Sequence, residues 1–138
     1  MGWFGLGEVV WLGVAVATVA GFIVGYLWYH PRGLGTVWSR LAGVSLEDLR
    51  AALVPRSIVS VVVLALTAVV LNVLQAELLV VSVLGGALFG AFVALIFRLA
   101  WGLLHGAHES RPVALTIIDS AHDVVALAAI GAVIGAFL

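Results

Sequence analysis

The sequence predicts an all-α integral membrane protein, a bundle of four transmembrane helices with a short interfacial helix between the first and second. Three observations carry the prediction. Hydrophobic residues make up 64% of the 138 and charged residues only 9%, with a mean hydropathy of +1.29, whereas a water-facing domain needs about a quarter of its residues charged. Four runs are long and apolar enough to cross ~30 Å of hydrocarbon, which takes about 20 residues of helix. Five of the six basic residues, all arginine, fall in two of the connections between these runs. The chain reads as a single transmembrane domain over residues 1–138.

The first run covers residues 9–29. It lacks a basic leading region and a small-residue cleavage site, so it reads as a retained helix rather than a signal peptide. The connection that follows, 30–56, holds Ser45-Leu46-Glu47-Asp48, which resembles a capping box, and then Leu49, Ala52 and Leu53 on one helical face. That pattern predicts a helix over 46–53 lying along the membrane surface. Val37, Trp38 and Leu41 form a second apolar strip just before it.

The second run, 58–74, begins just after Pro55 and Arg56 and contains only Ser60, Thr67 and Asn72 as polar side chains. Asn72 is suited to hydrogen bonding between helices. Only Gln75, Ala76 and Glu77 separate it from the third run, so these two helices are expected to be antiparallel neighbours joined by a tight hairpin. The third run, 78–104, is longer than one bilayer requires. The fourth, 112–138, opens on Pro112, whose missing N–H costs nothing in a first helical turn.

Arg32, Arg40, Arg50 and Arg56 lie in the first connection and Arg111 in the third, while the second has no basic residue. Because positive charge accumulates on the cytoplasmic side, loops 30–56 and 105–111 are expected to be cytoplasmic and both termini external to a cell membrane. Trp28, Tyr29 and Trp101 then fall at the inner interface, with Trp3 and Trp11 at the outer one. A formal charge of −1 carries no basic footprint, which argues against nucleic-acid binding. With no cysteine, neither a disulfide nor thiolate ligation is available.

Gly21 and Gly25, Gly86 and Gly90, and Gly131 and Gly135 form three small-residue pairs at i, i+4. Such pairs let helix backbones approach closely where lipid removes the hydrophobic drive. They can close the bundle internally or join protomers, and a homo-oligomer within the lipid bilayer is the expected state.

Candidate chemistry gathers on the arginine-bearing side. Asp119, His122 and Asp123 share a helical face at three- and four-residue spacing. One reading makes that face a site for a divalent metal, with His105, His108 and Glu109 completing the shell, since carboxylates and imidazoles suit zinc, iron or manganese. Another makes Asp119 and Asp123 an ion-pair or proton relay with Arg98 as counter-charge, because ionisable groups inside a membrane are rare and by default functional.

A plain structural reading competes with both. Counting back about 20 residues from Leu138 puts Asp119 at the headgroups, as a first-turn acid favoured by the helix dipole. Arg98 can snorkel to the phosphates, His105 and His108 can stand in a solvated loop, and His30 before Pro31 can mark a helix boundary.

The run Gly25-Tyr26-Leu27-Trp28-Tyr29-His30-Pro31, followed by Gly33, Gly35 and Trp38, resembles a family of small bacterial and archaeal membrane proteins, the domain of unknown function numbered seventeen sixty-one. Its members end their first helix with a Gly-x-x-Trp-Tyr-x-Pro pattern. The resemblance implies four spans, a short arginine-bearing loop before the last helix and a glycine-rich final helix. It implies no activity, and members often carry a small polar residue where this chain has His30.

The functional expectation is therefore a small polytopic protein that binds or moves an ion, proton or metal through the His/Asp cluster. The alternative is an accessory bundle assembling through its glycine faces. A membrane enzyme ranks last, since no nucleophile motif or phosphate-binding loop is present.

Overall fold

The structure, a computed structural model, describes residues 8–138; Trp3, expected at the outer interface, lies outside the described residues. In chain order the helices are α1 (Trp11–Tyr29), α2 (Gly35–Ala42), α3 (Leu46–Ala51), α4 (Leu53–Glu77) and α5 (Val83–Ala94). A π-helical segment, Leu95–Ala100, then leads into α6 (Trp101–Glu109), and α7 (Val113–Phe137) ends the chain. Four helices, α1, α4, the continuous Val83–Glu109 and α7, are long and apolar enough to cross a membrane. Leu12, Ile58, Leu66, Leu84, Leu88 and Phe92 are each more than half exposed. A water-soluble fold does not tolerate so much outward apolar surface; for this membrane protein it is contact with lipid tails.

Three boundaries differ from expectation, each for a local reason. α4 starts at Leu53 rather than 58, with Pro55 as its third residue. The first four N–H groups of a helix have no intrahelical acceptor, so a proline there removes nothing. The helix expected over 46–53 is the shorter α3, capped by Ser45, whose hydroxyl accepts from Asp48 N–H at 3.0 Å as the capping-box pattern predicts. The helix expected to stop near 104 continues to Glu109, so His105 and His108 stand on a helix rather than in a loop.

That last extension follows from a ridge of small residues. Gly86, Gly90, Ala94, Gly102 and Gly106 recur every fourth residue, with Arg98 in the remaining slot. In a straight α-helix four residues overshoot one turn by about 40°, so five such steps would carry the ridge to the far side. The π turns, closing i→i+5 bonds, take up more residues per turn and unwind that drift. The ridge therefore faces α7 at both ends: a Cβ on Gly86 or Gly90 would collide with the carbonyl oxygens of Gly131 or Leu127, and one on Gly102 would lie 3.1 Å from Thr116 Cγ2.

α7 is the central helix, packing on α1, α4 and the Val83–Glu109 helix. Gly13 against Phe137 and Gly21 against Ile130 make α1 and α7 antiparallel, and Ala17, Ala68, Leu71, Ile130 and Ile134 form the core between α1, α4 and α7. The expected α4–α5 pairing is not found. The two helices, joined through residues 78–82, meet only near their connected ends, where Gln75 reaches Gly86, because the glycine-lined end of α7 packs intimately against α5. Gly21, Gly25, Gly86, Gly90, Gly131 and Gly135 all meet neighbours within the chain.

Two amides on α4 are fully buried at this end. Asn72 Oδ1 accepts from Val10 N–H at 2.9 Å, the interhelical bond expected of it. Gln75, expected in a turn, is 0% exposed and lies against Gly86, Gly131 and Gly135.

The turn after α4 places Leu79 at φ 57°, with its side chain 80% exposed. An L-residue pays about 1–2 kcal/mol in this left-handed region and glycine does not. Leu79→Gly should therefore raise unfolding stability by about 1 kcal/mol, read as a later midpoint in an SDS titration of mixed micelles; a lower midpoint would show that the side chain packs.

Candidate functional site

α1 ends at Tyr29, and the chain turns through His30 and Pro31 into α2. His30 has the extended backbone of a helix boundary, and its Nδ1 accepts from Arg32 N–H at 3.1 Å. The turn folds α2 back over the early turns of α7. Aromatic residues from both arms of this corner thereby converge on the acidic face of α7.

Asp119 is the outer of the two acids. Tyr29 Oη–H and Trp38 Nε1–H both donate to its Oδ1 at 2.8 Å, and Arg111, just before α7, forms an ion pair with Oδ2. The Asp119 side chain is 22% exposed. A carboxylate only accepts hydrogen bonds, and here three donors from three parts of the chain satisfy it.

Asp123 stands one turn deeper. Arg98 Nε donates to its Oδ2 at 2.5 Å, and His122 Nδ1 lies 2.9 Å from Oδ1. The ridge explains how Arg98 arrives: it fills the slot between Ala94 and Gly102, so it meets α7 where a small residue otherwise would. The Arg98 side chain is still 61% exposed, while those of Asp123 and His122 are 19% and 15% exposed. Arg98 thus pairs with Asp123 while its outer part remains open to the surroundings.

The imidazole of His122 is held on several sides. Its ring centroid is 5.0 Å from that of Tyr29 and 6.1 Å, edge to face, from that of Trp28. Gly25 leaves room for it, since a Cβ there would lie 3.3 Å from Nε2. In a neutral ring the nitrogen facing a carboxylate carries the proton, so that form of His122 would donate from Nδ1 to Asp123 and keep a lone pair on Nε2. Nε2 is buried and has no hydrogen-bond partner among the described residues; neither has the buried N–H of Trp28.

A match to a family model described as a protein of unknown function, DUF1761, spans residues 12–135. The chain belongs to the DUF1761 family. The resemblance carried by Gly25, Trp28, Tyr29, Pro31 and Trp38 thus points to the right family. No curated protein and no solved structure matches the chain. In this DUF1761 member the residues of that run surround the polar cluster: Gly25, Trp28 and Tyr29 adjoin His122, while Tyr29 and Trp38 bond Asp119.

The other candidate ligands stay apart. His105, His108 and Glu109 are exposed on α6, with the His105 ring stacked on Trp101 at 5.9 Å. They make no hydrogen bond or ion pair with Asp119, His122 or Asp123 among the described residues. Nor do any three His, Asp or Glu side chains there form a group that could hold a metal ion. The physical reason is that α6 turns Gly102 and Gly106 toward α7 and its imidazoles away, while arginines already engage both acids.

Tyr29, Trp38 and Arg111 escaped the sequence reading as site residues. Trp28 and Tyr29 are expected at the inner interface, and both rings turn onto α7 there. Their partners lie as far as 90 positions away in the chain, so no local spacing announces them. The available signal was chemical: tyrosine and tryptophan ending a membrane helix each carry a polar tip that needs a partner when buried.

Proposed function

We propose that this membrane protein takes up and passes a proton through His122, with Asp123 and Arg98 as its charge partners. The observation that carries the reading is the setting of His122: Nδ1 lies 2.9 Å from Asp123 Oδ1, while Nε2 is buried and without a hydrogen-bond partner among the described residues. Histidine is the side chain that ordinarily changes charge near neutral pH, and an ionisable cluster inside a membrane is a functional site by default. Asp123 faces the imidazole that would carry the proton, and Arg98 pairs with the other oxygen of Asp123.

All six arginines lie toward the end of the bundle that holds the cluster, which by the positive-inside rule faces the cytoplasm, with both termini outside. The test is proton flux into proteoliposomes carrying a trapped pH dye. Wild-type vesicles should dissipate an imposed pH gradient faster than protein-free vesicles. His122→Gln and Asp123→Asn should return the rate to that background, whereas His105→Gln should not. Wild-type vesicles no faster than empty ones would sink the proposal.

A second reading draws on Asp119. Its three donors make it an architectural staple holding the α1–α2 corner on α7, as an accessory bundle would need. Such a bundle would have to associate through a face other than its glycines, which are engaged within the chain.

A further inference from the structure

Beside the polar cluster, the corner between α1 and α2 leaves a groove lined by Val24, Leu27, Trp28, Gly33, Leu34 and Val125. Every lining residue is apolar or amphipathic. The groove lies where α1 ends its span, and Leu27 and Val125, 62% and 44% exposed, border it toward the bilayer. Water has little hold on such a surface, because a dry apolar cavity offers it no partners. A hydrocarbon chain does.

The charge at the rim specifies what that chain belongs to. Arg32 directly precedes Gly33 of the groove, is exposed and forms no ion pair among the described residues. Arg40 on α2 is likewise exposed. No acid occurs between Glu8 and Glu47, and the nearby Asp119 is already taken by Arg111. The corner thus presents exposed positive charge directly beside an apolar groove.

We infer that this groove is a binding site for one anionic phospholipid, its acyl chain lying along Leu27, Trp28 and Val125 and its phosphate on Arg32. This site borders the proton cluster and shares Trp28 with it, but does not depend on the function proposed for the cluster. A basic residue near an anionic lipid surface gives about a fivefold preference over a neutral one.

Native mass spectrometry of the detergent-purified chain, titrated with phosphatidylglycerol or phosphatidylcholine, tests this directly. One phosphatidylglycerol should be retained about fivefold more tightly than phosphatidylcholine. Arg32→Gln, a change at an exposed position, should abolish the preference while leaving some binding of either lipid. Val125→Trp, which fills the groove from its outer side, should lose the retained lipid of both kinds. Equal retention of the two lipids by the wild type, or full retention by Val125→Trp, would overturn the assignment. So would a fatty acid or quinone found in the groove in place of a phospholipid.

Discussion

Gly90→Leu is expected to abolish the native packing of α5 on α7, costing more than about 3 kcal/mol. Even a methyl group at position 90 would run into the Leu127 carbonyl, and its next neighbour is the Ala128 backbone nitrogen at 3.2 Å. Neither obstacle is a flexible side chain, so relief requires moving a whole helix. Separating α5 from α7 would also part Gly86 from Gly131 and draw Arg98 away from Asp123. An SDS titration in mixed micelles, followed by circular dichroism, should find the variant partly unfolded before SDS is added. Ala100→Leu, at an exposed position of the π segment, should stay close to wild type. A native-like midpoint for Gly90→Leu would mean that the helices do not approach as closely as described.

Asp119→Leu should be the most damaging change at the polar cluster. It leaves Tyr29 Oη, the Trp38 indole N–H and the Arg111 guanidinium without their acceptor, and removing one partner of a buried ion pair costs roughly 3–5 kcal/mol. Arg111, 36% exposed, can turn partly to water, which puts the expected loss near the lower end, at about 3 kcal/mol. Asp119→Asn keeps an acceptor for Tyr29 and Trp38 and should cost markedly less. In Asp119→Leu, cleavage by added protease within residues 30–45 should quicken as α2 loosens from α7. Unchanged stability and protection would show that the bonds to Asp119 do not hold the corner.

The four spans were legible because hydrocarbon imposes one crude requirement, length without charge, that any bilayer-crossing helix must meet. The glycine pairs were legible as packing faces. Their pairing was not, since a face that accepts a neighbouring helix looks the same whichever helix arrives. The assumption that a short connection makes neighbours failed at α4 and α5, where three-dimensional fit to α7 outweighed proximity in the chain. Placing the helix end near 104 failed for a related reason: Gly102 and Gly106 resemble loop glycines until their four-residue step from Gly86, Gly90 and Ala94 is seen.

At the site, Asp119, His122 and Asp123 were readable because they share one helix and one face. Arg98 was readable as a possible counter-charge, but the π turns that direct it to Asp123 leave no clear mark in the composition of Leu95–Ala100. The aromatic donors Tyr29 and Trp38 were hidden by their distance in sequence from Asp119. His105 and His108 stood out only because histidine is scarce in this chain, and scarcity alone says nothing about where a side chain points.

Proton uptake at His122 depends on which of its two ring nitrogens carries a proton. Solid-state ¹⁵N NMR on bilayer-reconstituted protein, with His30, His105 and His108 replaced by glutamine, reads their protonation directly. The expected spectrum shows a proton on Nδ1 and a bare Nε2 in the neutral ring, with acid adding a second proton at Nε2 while Nδ1 remains protonated. A ring that carries its proton on Nε2 at alkaline pH, or whose protonation does not change across the titration, would contradict it.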